Sequence, residues 1–92
     1  MTNELEYIPL DDNENYFYSH DLALCAYLLC EYFELHSLDR NRPNKVLFIM
    51  KREEKRDIEE YVRAFWNSEN ALVDPQSYFN QLKRLKNQIH SY

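Results

Sequence analysis

The sequence contains no glycine anywhere in its 92 residues. Glycine-built phosphate loops, the dinucleotide-binding fingerprint and the glycine-flanked nucleophile elbow are therefore excluded, since each needs backbone that a Cβ would obstruct. Proline is scarce too: Pro9, Pro43 and Pro75 are the only examples, so the breaks they impose stand out. No apolar run approaches the roughly 18 residues of a membrane-spanning helix. The acidic start MTNELEYIPLDDNEN lacks the basic-then-apolar order of a secretory signal. Only two cysteines occur, Cys25 and Cys30. Five positions apart on a helix, they point about 140° away from each other. They read as small core residues in a reducing compartment, not as a disulfide. A cytoplasmic protein with no membrane contact is expected.

What the chain does have is aromatic surface and an uneven charge. Eight Tyr, five Phe and Trp66 make up 15% of the residues, more than a chain that stays unfolded carries. The length fits one domain. Net charge is −5, yet residues 1–39 hold nine acids and no Lys or Arg, whereas residues 40–92 hold all eleven bases against seven acids. From Pro75 to Tyr92 there are Lys83, Arg84 and Lys86 and no acid. Residues 1–14 read as an acidic flexible leader, with Tyr7 and Ile8 before Pro9 in extended geometry. Residues 15–92 read as a single α+β domain.

Periodicity supplies the order of elements. Asn15–Ser19 alternates as a strand, with Tyr16 and Tyr18 on one face and Phe17 on the other. Ser19 is the expected N-cap of a helix that runs to about Phe33 and is apolar nearly all round, which marks it as the buried centre of the molecule. Glu34–Leu38 is a weakly patterned second strand. The turn composition of 39–44 then leads to Lys45–Met50, the clearest strand. Its Val46, Phe48 and Met50 point one way and Leu47 and Ile49 the other, as in a central strand. A helix from about Glu53 to Asn67 carries Ile58, Tyr61, Val62, Phe65 and Trp66 on one stripe. Asp74-Pro75 starts the last helix, with Asp as cap and Pro in the first turn. The expected fold is β-α-β-β-α-α: a three-stranded, mainly antiparallel sheet on a buried first helix, followed by two C-terminal helices that cap the same layer or the other face.

No pattern supports catalysis or a bound metal. Zinc sites use close ligand pairs, and Cys25 with Cys30 or His20 lies on a helix that separates the ligands. A thiol among Leu, Ala and Tyr has a raised pKa and is inert. Adjacent acids such as Asp11/Asp12, Glu53/Glu54 and Glu59/Glu60 diverge by about 100° on a helix and suit a solvated face. No enzyme activity and no cofactor are expected. The first functional expectation is an accessory protein acting through protein contacts, with Asp11, Asp12 and Glu14 docking on a basic partner surface and Tyr78 and Tyr92 as anchors. Charge mimicry in a nucleic-acid channel fits that composition. The stripe of the last helix packs on its own domain or on a second copy in a homodimer. The alternative is a nucleic-acid-binding module. There Tyr16 and Tyr18, joined by Phe48 if it shares their face, stack bases, and Arg40, Arg42, Lys45, Lys83, Arg84 and Lys86 hold phosphates. Against it stands the alternative of tyrosines packed under a helix.

From Tyr16 to Tyr92 the chain resembles an uncharacterised domain-of-unknown-function family of small bacterial and mobile-element proteins. The matching features are the strand YFYS, the helix DLALCAYLLCEYF, the pair ELHSL and KVLFIM, the aromatic ending Phe65-Trp66-Asn67 and the sequence Val73-Asp74-Pro75. In that pattern a glycine often precedes the aromatic residue that ends the first helix, and here Tyr32 stands in its place. The resemblance implies a small accessory protein and supplies no activity or catalytic residues.

Overall fold

A computed structural model describes residues 12–42, 44–68 and 71–90. The elements are β1 (Tyr16–Ser19), α1 (Leu22–Cys30), β2 (Leu35–Asp39), β3 (Leu47–Lys51), α2 (Ile58–Asn67) and α3 (Pro75–Ile89). The order β-α-β-β-α-α is the expected one. Residues 1–11 of the expected leader, including the segment at Tyr7–Pro9, lie outside the described residues.

The sheet is antiparallel throughout, in the order β1-β3-β2. Phe17 pairs with Met50 and Ser19 with Phe48, so these share one face. Tyr16, Tyr18 and Ile49 share the other, because side chains alternate along a strand. The weak pattern of β2 has a physical cause. Its register with β3 shifts between Leu35 and Ser37. This bulge inserts His36 as an extra residue. Leu35 and Leu38, three apart, therefore both pack on the core, which a regular strand would forbid.

α1 is the centre of the molecule, as its composition demands. Leu24 to Leu29 are all buried, with Cys25, Ala26 and Leu28 at 0% exposure. Its boundaries differ from expectation at both ends. The N-cap is Asp21, whose carboxylate accepts the Leu24 N–H at 3.1 Å. Ser19 instead accepts the Asp21 N–H through its hydroxyl, so it braces the cap without being the cap. The helix stops at Cys30, short of Phe33. The Phe33 N–H reaches back to the Leu28 carbonyl and the Tyr32 N–H to that of Leu29. These are the paired bonds of a Schellman ending, which needs a left-handed residue between. Tyr32 supplies it at φ 70°. Phe33, turned back by this ending, is buried at 2% exposure.

α2 starts at Ile58 with Asp57 as N-cap, not at Glu53. The side chains of Arg52 and Arg56 explain the delay. Arg56 donates to both carboxylate oxygens of Glu53 and to the Glu31 carbonyl, and its guanidinium lies 4.0 Å from the centre of the Phe33 ring. Arg52 donates to the Tyr16 carbonyl and to Glu59. Residues 52–57 are thus held as a loop across the end of the sheet. α3 begins as expected: Asp74 caps the Ser77 N–H and Pro75 occupies the first turn.

All three helices lie on one side of the sheet. Buried Ile58 of α2 and Leu85 of α3 join α1, Phe33, Phe48 and Met50 in a single core, with Phe17, Leu35 and Leu38 packed against it. The last two helices cap the same layer as α1. Among the described residues, no helical side chain that packs on the core does so from the Tyr16–Tyr18 side.

Candidate functional site: the helix-free face of the sheet

Among the described residues, the two-layer arrangement leaves one sheet face without a helix, and this face gathers two half-buried tyrosines and an exposed histidine. The Tyr16 and Tyr18 rings project from β1 with centroids 6.4 Å apart. The His36 ring, brought outward by the bulge in β2, meets Tyr16 edge to face at 4.9 Å across the central strand. Beneath them Ile49 is only 3% exposed although it lies outside the main core. Tyr16 and Tyr18 on this face are half-buried and His36 is exposed. Phe48 is not part of this array, since it points into the core at 1% exposure. The tyrosines do not pack under a helix.

Polar groups fix the rims. The Tyr18 hydroxyl donates to the Asp12 carbonyl at 3.4 Å, and the Asp12 carboxylate accepts from the backbone and side chain of Asn15. Asp12 is thus a turn brace at the start of β1. At the opposite end Leu47, on the Ile49 face, continues into a hollow of about 350 Å³ with His20, Asp39, Asn41, Arg42 and Lys45. His20 Nδ1 sits 3.0 Å from the Val46 carbonyl, which it bonds as the Nδ1–H tautomer. Lys51 pairs with Glu34 at 3.4 Å where β3 ends. With both partners largely exposed, this pair adds little stability.

The β2 edge carries the second element. Between it and α3 lies a groove of about 370 Å³, lined by His36, Ser37, Arg40, Arg84 and Gln88 among others. Arg40 donates to the Gln88 carbonyl near the end of α3. Among the described residues lining this groove there is no carboxylate. The acidic start of α2 lies at the other edge, where Arg52 joins the β1 backbone to Glu59 at 2.8 Å.

The expected site residues divide accordingly. Tyr16 and Tyr18 come together on the open face, Arg42 and Lys45 at its hairpin end, and Arg40 and Arg84 in the groove. Lys83 turns elsewhere, 5.4 Å from the Phe79 ring centre, and Lys86 is exposed in the last turn of α3. Glu14 is exposed and lines a separate hollow with Arg52–Ile58. Tyr78 is half-buried against the core, and its hydroxyl donates to the Ala23 carbonyl at 3.2 Å. Desolvation by that packing pushes its pKa up. Asp11 and Tyr92 lie outside the described residues. His36 was legible only as a lone surface imidazole, because the bulge that aims it at Tyr16 arises from pairing with β3. Among the described residues, the large hydrophobic side chains that stay exposed are Tyr32, Trp66, Leu72 and Phe79.

Both thiols have raised pKa values. Burial pushes Cys25 up to about 12, against a smaller lowering by a hydrogen bond with Ser19. Cys30, partly exposed, is also raised by desolvation. Both cysteines are free. Among the described residues no group of three or more His, Cys, Asp or Glu side chains comes together to hold a metal ion.

With this geometry in hand, comparison with protein families is decisive for kinship. A family model, Domain of unknown function (DUF5659), matches residues 14–91. The chain belongs to this family. The DUF5659 match takes in every strand and helix described above, from β1 to the end of α3. No curated protein and no solved structure matches the chain. No helix among the described residues is long and apolar enough to cross a membrane.

Proposed function

We propose that this chain is a small, non-enzymatic binding module whose working surface is the helix-free face of the sheet and whose ligand is single-stranded nucleic acid. One observation carries the reading: Tyr16, Tyr18 and His36 gather on the Ile49 face of the sheet, which no helix among the described residues covers. Flat rings on an open antiparallel sheet can stack unpaired bases of any sequence, and each stacked base contributes about 1–3 kcal/mol. Arg42 and Lys45 at the hairpin end supply cations for phosphates. The acids that dominate the net charge of −5 weigh against nucleic acid only where they face it. Glu59 of the α2 start is paired with Arg52 at the β1 edge, while Asp12 and Asp39 stand at the two rims of the face. Buried, high-pKa Cys25 is unsuited to nucleophilic work.

The test is fluorescence anisotropy at low salt with labelled single-stranded RNA, single-stranded DNA and duplex. Single strands are expected to bind with preference over duplex. Tyr16→Ala and Tyr18→Ala should each weaken binding by about tenfold. Absence of binding up to about 100 μM, the weak limit of non-specific contacts, overturns the proposal.

A second reading keeps the protein partner that the sequence favours first. Leu72 at 86% and Trp66 at 60% exposure are unusual for a monomer of this size, and Trp is a frequent interface anchor. In this reading the acidic surface with Asp12 and Glu14 meets a basic protein. Trp66→Ala and Leu72→Ala then abolish capture of that partner, whereas Tyr16→Ala leaves it intact.

A further inference from the structure

We infer that the groove between β2 and α3 is a phosphodiester subsite continuous with the aromatic face, so that a bound single strand crosses the sheet and turns over the β2 edge at His36. The inference rests on the nucleic-acid reading above and adds a path and a set of phosphate contacts to it.

Three observations converge on this path. The first is charge. Arg40 and Arg84 line the groove with His36, and no carboxylate lines it among the described residues. In a chain of net charge −5 such a wall is selective for anions. Arginine presents its donors in a flat fork that matches a phosphate oxygen pair. Arg40 is engaged with the Gln88 carbonyl and adds its charge to the wall, while Arg84 brings the exposed guanidinium.

The second observation is continuity. His36 belongs to both surfaces at once. Its ring meets Tyr16 on the sheet face and also lines the groove. The bulge makes this double membership possible, since it aims the extra residue of β2 outward at the strand edge. A base stacked at Tyr16 and His36 therefore has its backbone at the mouth of the groove. The third observation is the layout of acids. At the β1 edge Arg52 is already paired with Glu59 and the hollow beside it mixes acids with bases, so that side offers a polyanion no uncompensated cation, whereas the groove at β2 has no carboxylate in its lining among the described residues. The direction of travel follows from that difference.

The chemistry separates a strand from other anions. Free phosphate would occupy the groove without the rings, and an acidic peptide would offer carboxylates with no base to stack. Single-stranded nucleic acid alone uses both surfaces together.

The experiment measures the affinity of a labelled single-stranded oligonucleotide as a function of salt. The proteins are the intact chain, Arg84→Ala, Arg84→Lys and Tyr16→Ala, each checked for folding by circular dichroism. Arg84 is the clean probe, because it is exposed and its recorded hydrogen bond, to Gln81 at 3.3 Å, stays within α3. Arg84→Ala is expected to weaken binding about threefold or more at low salt and to lower the slope of log affinity against log salt by about 0.7, the value for one phosphate contact on a single strand. Arg84→Lys restores the slope. Tyr16→Ala weakens binding at every salt concentration with the slope unchanged. If Tyr16→Ala weakens binding while Arg84→Ala leaves affinity and slope untouched, the groove is not on the path and only the aromatic-face reading survives. If neither variant changes binding, or no oligonucleotide binds, both readings fall. Equal displacement of the oligonucleotide by inorganic phosphate or by a poly-glutamate peptide at matched ionic strength also overturns the inference, since it reduces the groove to a general anion site.

Discussion

Replacing Tyr32 with glycine is expected to stabilise this protein. Tyr32 holds the left-handed position of the Schellman ending of α1, at φ 70°, where a Cβ crowds the following carbonyl at a cost of about 1–2 kcal/mol. Its side chain is 84% exposed, so almost no packing is lost with the ring. The backbone bond from its N–H to the Leu29 carbonyl is one that glycine keeps. Against the relief stands the greater freedom of glycine in the unfolded chain, worth about 0.4–1 kcal/mol. The balance is a gain of about 0.5–1 kcal/mol. In a domain of this size that raises Tm by about 2–8 °C, taking about 4–8 °C per kcal/mol. Urea titration followed by circular dichroism, with Tyr32→Ala as the control, isolates the cause. Alanine retains the Cβ and should stay within about 0.5 kcal/mol of the parent. A Tyr32→Gly protein no more stable than the parent, or an alanine variant as stable as the glycine one, refutes the reasoning that φ at this position is the source of strain.

The same structure makes three further predictions. Cys25, raised by burial from 9.0 to about 12, stays protonated in the folded state at pH values where the unfolded chain has already lost the proton. Its contribution to stability is present below pH 9 and lost as pH rises toward 12. Cys25→Ala should therefore flatten the alkaline decline of the urea midpoint. Maleimide labelling of the native protein should modify Cys30 well before Cys25, and equal rates would show that α1 is not buried. Arg56→Ala removes the cation from the Phe33 ring and frees the 52–57 loop. The expected loss is about 1 kcal/mol from the stacked cation alone, read as a lower urea midpoint, and Arg56→Lys should recover only part of it because lysine cannot reproduce the planar fork.

The elements that local chemistry specifies were readable in the sequence. Asp74-Pro75 carries its own start signal, and α3 begins there. The alternation of Tyr16, Phe17 and Tyr18 assigned faces correctly, and the apolar circumference of α1 placed it at the centre. What escaped is what distant partners decide. The end of α1 lacks the glycine that usually marks a left-handed residue, so the residues of this chain alone did not show the φ of Tyr32, and only the glycine of the family pattern pointed to it. Glu53–Asp57 has the acidic look of a helical first turn, yet Arg56 ties it to Phe33 and Glu31, residues far away in the chain. The sharing of Leu35 and Leu38 by one face depends on a bulge that only β3 creates. Of the candidate site, Tyr16 and Tyr18 were visible as a pair. The absence of a helix above them, and the meeting of Arg40 with Arg84, follow from how three helices choose one side of a sheet.

The bulge in β2 has one more consequence. A three-stranded sheet has two unpaired borders, and such borders invite strands from other molecules to add on. β1 offers only four residues, Tyr16–Ser19, between a braced turn and a capped helix. β2 breaks its own repeat at His36 and has the end of α3 fastened beside it by Arg40. An incoming strand would find no unbroken ladder on either border. The irregularity that aims an imidazole at a tyrosine thus also guards a small, aromatic-rich protein against aggregation.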